Sequence, residues 1–296
     1  MDALLREQLS RAIADALGAP FGIRIARPVG GGCIHTCYMV ESDAGRHFLK
    51  LADASRAALL EAEADGLQAM HAAGARVPAV IAQGVRDDAA FLLLEYLDLA
   101  SGVSAHTQRA LGRMLAQMHG HTNERYGWLR DNYIGLTPQH NTWHSDWIVF
   151  WEKQRLQPQL ALAVRNGYGP TLEAPGDELL TALPALLDSR KPQAALLHGD
   201  LWSGNAAVLT DGTPVMFDPA VYYGDAEADL AMTELFGGFT PEFYAGYREV
   251  NAIDPGYPLR KQVYNLYHVL NHLNLFGGSY LRQAERTIRE LLAEVR

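Results

Sequence analysis

Leu197-His198-Gly199-Asp200-Leu201-Trp202-Ser203-Gly204-Asn205, followed by Val215-Met216-Phe217-Asp218-Pro219, is the stretch on which the reading of this chain turns. Asp200 and Asn205 share one loop, and a second carboxylate, Asp218, follows a short apolar run. Phosphoryl transfer from ATP needs such a set. One carboxylate orients the attacking hydroxyl and takes its proton, while Asn and Asp oxygens hold Mg²⁺ on the phosphates. His198 stands two residues ahead of Asp200, where the H-R-D pattern of kinases also has its His. A lone His-Gly-Asp is no more than a polar turn between strands. Asn205 and Asp218 in register with it, and a lysine upstream, point to a phosphotransferase.

Working outward, Lys50 lies on the expected strand His47–Leu51 and is placed to neutralise the α- and β-phosphates. Glu63, on an expected helix 56–73, shares a face with Leu59, Leu60, Leu67 and Met70, so it is a better partner for Lys50 than Glu61. Gly30, Gly31 and Gly32 lie between two strands, where backbone N–H groups can approach phosphate oxygens. Glu95 and Leu97 end a strand, Leu92–Leu97, that would turn its backbone toward adenine. Beyond Asp218 no long activation segment and no A-P-E element follow. The chain runs directly into Asp225, Glu227 and Asp229, which favours a small hydroxylated acceptor and suggests acidic contacts to a cationic amine.

The expected order is an opening helix through Leu5, Leu9, Ile13 and Leu17, then strands to about residue 97. Helices dominate afterwards: 104–121, 147–164, 177–188, 226–235, 259–275 and 279–295. The fold class is therefore α+β and two-lobed, with a β-rich small lobe (1–97) and a helical large lobe (98–296). The 296 residues are 48% hydrophobic and 20% charged, a globular composition. A net charge of -9 without a basic cluster excludes nucleic acid and anionic membrane as expected partners. No apolar run spans a bilayer and no signal peptide is evident, so a cytoplasmic location is expected. The two cysteines, Cys33 and Cys37, would stand roughly 13 Å apart on an extended segment, too far for a disulfide. Cys33 beside the glycines is either an inert buried thiol or a site at which oxidation would displace the phosphate loop. His268 and His272 have i, i+4 spacing but lack the Glu of H-E-x-x-H, and are read as packed side chains rather than metal ligands.

The residues His198–Asn205, Phe217-Asp218-Pro219-Ala220, Tyr223-Gly224 and Leu235–Phe239 resemble the fructosamine/ketosamine-3-kinase family. Gly31–Ile34, Glu95-Tyr96-Leu97, Asn141-Thr142-Trp143, Asp146-Trp147, Gln154–Gln159 and His268–His272 fit the same pattern. Trp202 after the catalytic Asp separates it from aminoglycoside and choline kinases. The resemblance implies a protein-kinase-like fold, ATP and Mg²⁺, and phosphorylation of the 3-hydroxyl of a small-molecule or protein-bound ketosamine, a deglycation activity. It implies Asp200 as base, Asn205 and Asp218 as Mg²⁺ ligands, Lys50 as phosphate anchor and Trp202 as a stacking surface, with a supporting core role the alternative for Trp202. The aromatic insert Asn141–Trp151 is a further candidate wall of the sugar pocket. Asp225 departs from the His expected in several relatives. An aminoglycoside- or choline-type phosphotransferase and a non-catalytic nucleotide-binding protein are the alternatives.

Overall fold

A computed structural model describes residues 1–30 and 35–296. Gly31, Gly32 and Cys33, named above for the phosphate loop and its redox sensitivity, lie outside the described residues.

Helix α1 (Ala3–Leu17) is capped by the Asp2 side chain on Leu5 N at 2.8 Å and stops at Gly18, φ 63°. Strands β1 (Ile25–Val29), β2 (Thr36–Ser42) and β3 (Gly45–Asp53) precede helix α2 (Ala57–Ala72). Strands β4 (Val80–Arg86) and β5 (Ala89–Glu95) complete an antiparallel sheet in the order β1-β2-β3-β5-β4. The sheet is covered on both faces, which explains why β5 reads as an unbroken apolar run. Phe91 and Leu93 pack with Leu9 and Ile13 of α1. Ala90, Leu92 and Leu94 join Leu60, Ala64, Leu67 and Met70 of α2. Lys50 is in register with Leu92 and so belongs to the α2 face.

The large lobe begins with α3 (Ala105–His119), whose Ser104 and Thr107 form a capping box. Short strands β6 (Thr122–Asn123), β7 (Asn132–Ile134) and β8 (Thr137–Gln139) lead to α4 (Trp147–Trp151) and α5 (Gln157–Ala163). The expected continuous helix 147–164 is interrupted by a wide π turn at Glu152–Leu156. Pro158 cannot donate to the carbonyl of residue 154, which accounts for the break in the regular ladder. A second wide turn, 164–168, kinks at Gly167 with φ 94°. Helix α6 (Gly169–Leu187) starts earlier than expected, with Pro170 in its first turn.

Strand β9 (Ala194–Leu197) leads into the loop 198–205. Strands β10 (Ala206–Val208) and β11 (Pro214–Met216) form a hairpin, and β12 (Tyr222–Gly224) returns to pair with β9. The remaining helices are α7 (Ala226–Leu235), α8 (Pro241–Arg248), α9 (Tyr257–Phe276) and α10 (Leu281–Ala293). Trp147, Phe150 and Trp151 of the aromatic insert are buried, with Trp147 and Trp151 packed on Tyr264, so this part of the insert is core and not pocket wall.

Candidate active site

The loop 198–205 is fixed by backbone needs that only particular residues meet. Gly199 has φ 81°, and a Cβ there would lie 2.0 Å from the Ala220 carbonyl oxygen. No side chain fits, so the loop can run directly against the segment that follows Asp218. Ala220 N donates to His198 O at 2.8 Å, and Phe217 N to Asn205 O at 3.0 Å. The buried His198 ring completes this stapling. Its Nε2 lies 3.0 Å from Phe217 O, and Asp200 N lies 3.2 Å from its Nδ1. That pattern suits a neutral imidazole donating through Nε2 and accepting at Nδ1, and burial lowers its pKa accordingly.

Asp200, Asn205 and Asp218 are brought together. The Asn205 amide donates to Asp200 O at 2.8 Å, which directs its Nδ2 inward and leaves its oxygen as a possible cation ligand. Burial first, then the charges of Asp218 and Asp229, push the Asp200 carboxyl up to about 7, while Asn205 pulls the other way. A carboxylate so placed is suited to accept a proton near neutral pH. Asp218 sits at φ 55°, an unfavourable backbone for a non-glycine residue. Its carboxylate reaches across to Lys50 Nζ, which also lies 2.7 Å from Glu63 Oε1. Burial alone would lower the Lys50 pKa, but Glu63 and Asp218 outweigh it and hold the ammonium above its ordinary value. Burial raises the Glu63 carboxyl against the pull of Lys50. At Asp218 burial acts upward too, but Lys50 prevails and keeps the carboxyl below its ordinary range. Glu61, the rejected partner, pairs with Arg130 at the surface. A lysine and two oxygen-bearing side chains converging beside a loop carboxylate fit a nucleotide triphosphate with its divalent cation.

Trp202 is 41% exposed, with its ring lying over Gly204, where an added Cβ would come within 2.2 Å of the indole. Its indole is thus part exposed and part packed on its own loop. Gly30 is exposed, with open space where a Cβ would be. Glu95 and Leu97 are half-buried at the end of β5. The Glu95 carboxylate binds Arg76 at 2.6 and 2.8 Å and accepts from Ala79 N at 3.2 Å, and its own N–H donates to Ala79 O. That carboxylate ties the end of β5 to the segment 76–79.

The expectation that Asp225 and Glu227 contact an acceptor amine is corrected. Both are buried in an ion network beneath the site. Asp225 accepts from Arg190 at 2.6 and 2.7 Å and from Tyr264 Oη at 2.7 Å. Glu227 receives Arg260 at 2.7 and 2.9 Å. The buried Arg260 and the half-buried Arg190 satisfy these carboxylates, so no unpaired charge is left for a ligand. Asp229 has a different task. Its carboxylate accepts from His198 N at 2.7 Å, Gly199 N at 2.8 Å and His119 Nε2 at 3.1 Å. Burial would raise its pKa, but these donors hold it low. Acidic spacing alone cannot separate it from Asp225 and Glu227. The signal lies in the topology that puts the start of α7 under β9. His272 Nδ1 contacts the His268 carbonyl, and its ring packs on Phe236, Phe276 and Tyr280.

Comparison with known proteins supplies the family. The fructosamine kinase family model matches residues 5–294. The chain belongs to the fructosamine kinase family. It is 44% identical over 291 residues to a probable ketoamine kinase of Synechocystis, covering 97% of this chain and 96% of that protein. A chloroplastic protein-ribulosamine 3-kinase of Arabidopsis thaliana is 42% identical over 269 residues, 89% of this chain and 81% of its own. A solved Haemophilus somnus protein assigned as a fructosamine-3-kinase superposes with a TM-score of 0.87 at 26% identity, covering 97% of both chains. This chain is accordingly an ATP-dependent kinase with a protein-kinase-like fold.

Proposed function

We propose that the kinase uses ATP and Mg²⁺ to phosphorylate the 3-hydroxyl of a ketosamine, with ribulosamines and erythrulosamines preferred over fructosamines. The reading is carried by the convergence of Asp200, Asn205, Asp218 and Lys50 at one loop, within a family whose relatives are named for ketoamines and ribulosamines. Lys50 would hold the phosphates, and Asn205 and Asp218 would hold Mg²⁺. The cation, when bound, supplies neutralisation of charge on the phosphate oxygens. Asp200 would accept a hydrogen bond from the acceptor hydroxyl and take its proton as the oxygen bonds to the γ-phosphorus. The bond from that phosphorus to the bridging oxygen breaks, and ADP leaves. Trp202 would lie against the sugar.

A phosphate at C3 gives the product an exit. Enolisation toward C1 lets phosphate depart, and hydrolysis of the resulting imine frees the amine. Deglycation of small amines or proteins is the corresponding role. A site built to hydrogen-bond a particular hydroxyl rejects an analogue lacking it far more strongly than one altered by a methylene. Ribuloselysine should therefore gain a 3-phosphate, read by phosphorus NMR, and its 3-deoxy analogue should gain little or none. Free ribose, choline and kanamycin should be much poorer acceptors. Faster turnover of kanamycin or choline than of every ketosamine tested would overturn the substrate assignment and leave the kinase.

A further inference from the structure

Protein kinases with long activation segments order them by phosphorylation, through new contacts to arginine. Here the segment after Asp218 is short, and a different device lies beneath it. Arg155 is fully buried and, among the described residues, has no carboxylate partner. Its guanidinium donates to Asn141 Oδ1 at 2.8 Å, to Gln154 O at 2.9 Å and to His140 O. It lies over the Tyr222 ring at 3.9 Å and the Phe150 ring at 4.7 Å. From Asn141 the network continues through Nδ2 to Asn132 Oδ1 at 2.9 Å, and Gln139 Nε2 reaches the same oxygen at 2.8 Å. Its ends fall on the Asp218 segment. Gln139 Nε2 donates to Ala220 O at 3.0 Å, and Asn132 Nδ2 donates to Val221 O at 2.7 Å. Tyr267 Oη fixes Gln139 by donating to Oε1 at 2.8 Å.

Three consecutive residues, Ala220, Val221 and Tyr222, are thus gripped from below by one buried network, while His198 and Gly199 press on Ala220 from above. A buried cation without a counter-charge is costly, and Arg155 offsets that cost through both terminal nitrogens and the Tyr222 and Phe150 rings, while its Nε has no partner among the described residues. Asp218 at positive φ is costly as well, and persists only where its surroundings over-determine it. The two observations explain each other. We infer that Arg155, Asn141, Asn132, Gln139 and Tyr267 are positioning residues that lock the Asp218 segment in its working geometry, in place of a covalent switch.

The inference rests on the proposed role of Asp218 as a cation ligand, so its test is read first on the protein without ligands. Tyr267→Phe removes one hydroxyl of the network, and Asn132→Ala removes the donor to Val221. Tyr257→Phe, which removes another hydroxyl of α9 outside the network, is the control. Backbone amides of residues 220–223 should exchange with deuterium roughly fivefold faster in Tyr267→Phe and more in Asn132→Ala, as expected for lost buried hydrogen bonds. The control should match wild type there. The enhancement of ADP affinity by Mg²⁺, measured by calorimetry, should weaken about tenfold while Mg²⁺-free affinity holds. Exchange at 220–223 no faster than in Tyr257→Phe would overturn the inference, as would unaltered Mg²⁺ enhancement. A wild type indifferent to Mg²⁺ would instead refute the metal role of Asp218, with the exchange result still deciding the lock. Should Asn132→Ala not fold, Tyr267→Phe carries both measurements.

Discussion

Asp200 and Asp229 lie on opposite sides of one loop, and their surroundings give them opposite work. Asp200 is raised by burial and by two neighbouring carboxylates, which suits a group that takes and returns a proton. Asp229 is held ionised by two backbone N–H groups and His119, which suits a group that fixes the backbone. Asp200→Asn should therefore leave nucleotide affinity near wild type and lower kcat roughly 10²-fold or more, the usual contribution of a positioned base. Retention of most of the turnover would remove Asp200 from that role. Asp229→Asn replaces one accepting oxygen with an amide that cannot accept from His198 N or Gly199 N. About 2 kcal/mol of stability should be lost with the unsatisfied donors. The kcat of the folded fraction should fall as well, because the loop carrying Asp200 loosens; a Tm shift with unchanged kcat would confine Asp229 to stability.

At the level of elements, α3 and α8 cross at backbone distance. A Cβ on Gly112 would stand 1.9 Å from Phe243 O, and one on Gly246 2.0 Å from Arg109 O. Neither obstacle is a side-chain end that can swing away. Gly112→Ala should therefore cost about 3 kcal/mol, the upper end of ordinary overpacking, in spite of the better helix propensity of alanine. Chemical denaturation measures it, and a loss under 1 kcal/mol would mean that the helices part easily. Much of the architecture was legible because period and burial agree. The apolar run of β5 and the face shared by Glu63 and Leu60 come directly from side-chain direction. Helix α7 was readable over 226–235 for the same reason. Helix α8 was not, since eight residues make barely two turns and show little period. The fates of Asp225, Glu227 and Asp229 were also hidden. Three acidic residues at a helix start look alike until Arg190, Arg260 and the catalytic loop, all distant in sequence, are brought to them. Arg155 was quoted only as part of a motif, and its function needs the hairpin 132–139 and the Tyr222 ring in space.

Across the whole molecule, folding leaves several histidines neutral. His268 is 4% exposed, its Nδ1 has no partner among the described residues, and burial, followed by His272, lowers its pKa to about 3. Burial and Lys50 lower His35 to about 4, and burial also lowers His47, His198 and His272. The unfolded chain binds protons at these imidazoles below about pH 6.5, and the folded chain does so only at lower pH. Between those values the unfolded state holds more protons, so stability rises with pH. The contribution is complete above about pH 6.5 and is lost as pH falls toward 3. At pH 5, His268 alone accounts for about 2 kcal/mol of this loss, from roughly 1.5 pH units below its unfolded pKa. The expected result is a Tm that declines steadily from pH 7 to pH 5. Replacing His268 by Leu, of similar volume and without a titrating group, should make that decline shallower by about one proton. A His268→Leu slope equal to that of wild type would show that the imidazole is protonated in the fold, despite its burial beside His272.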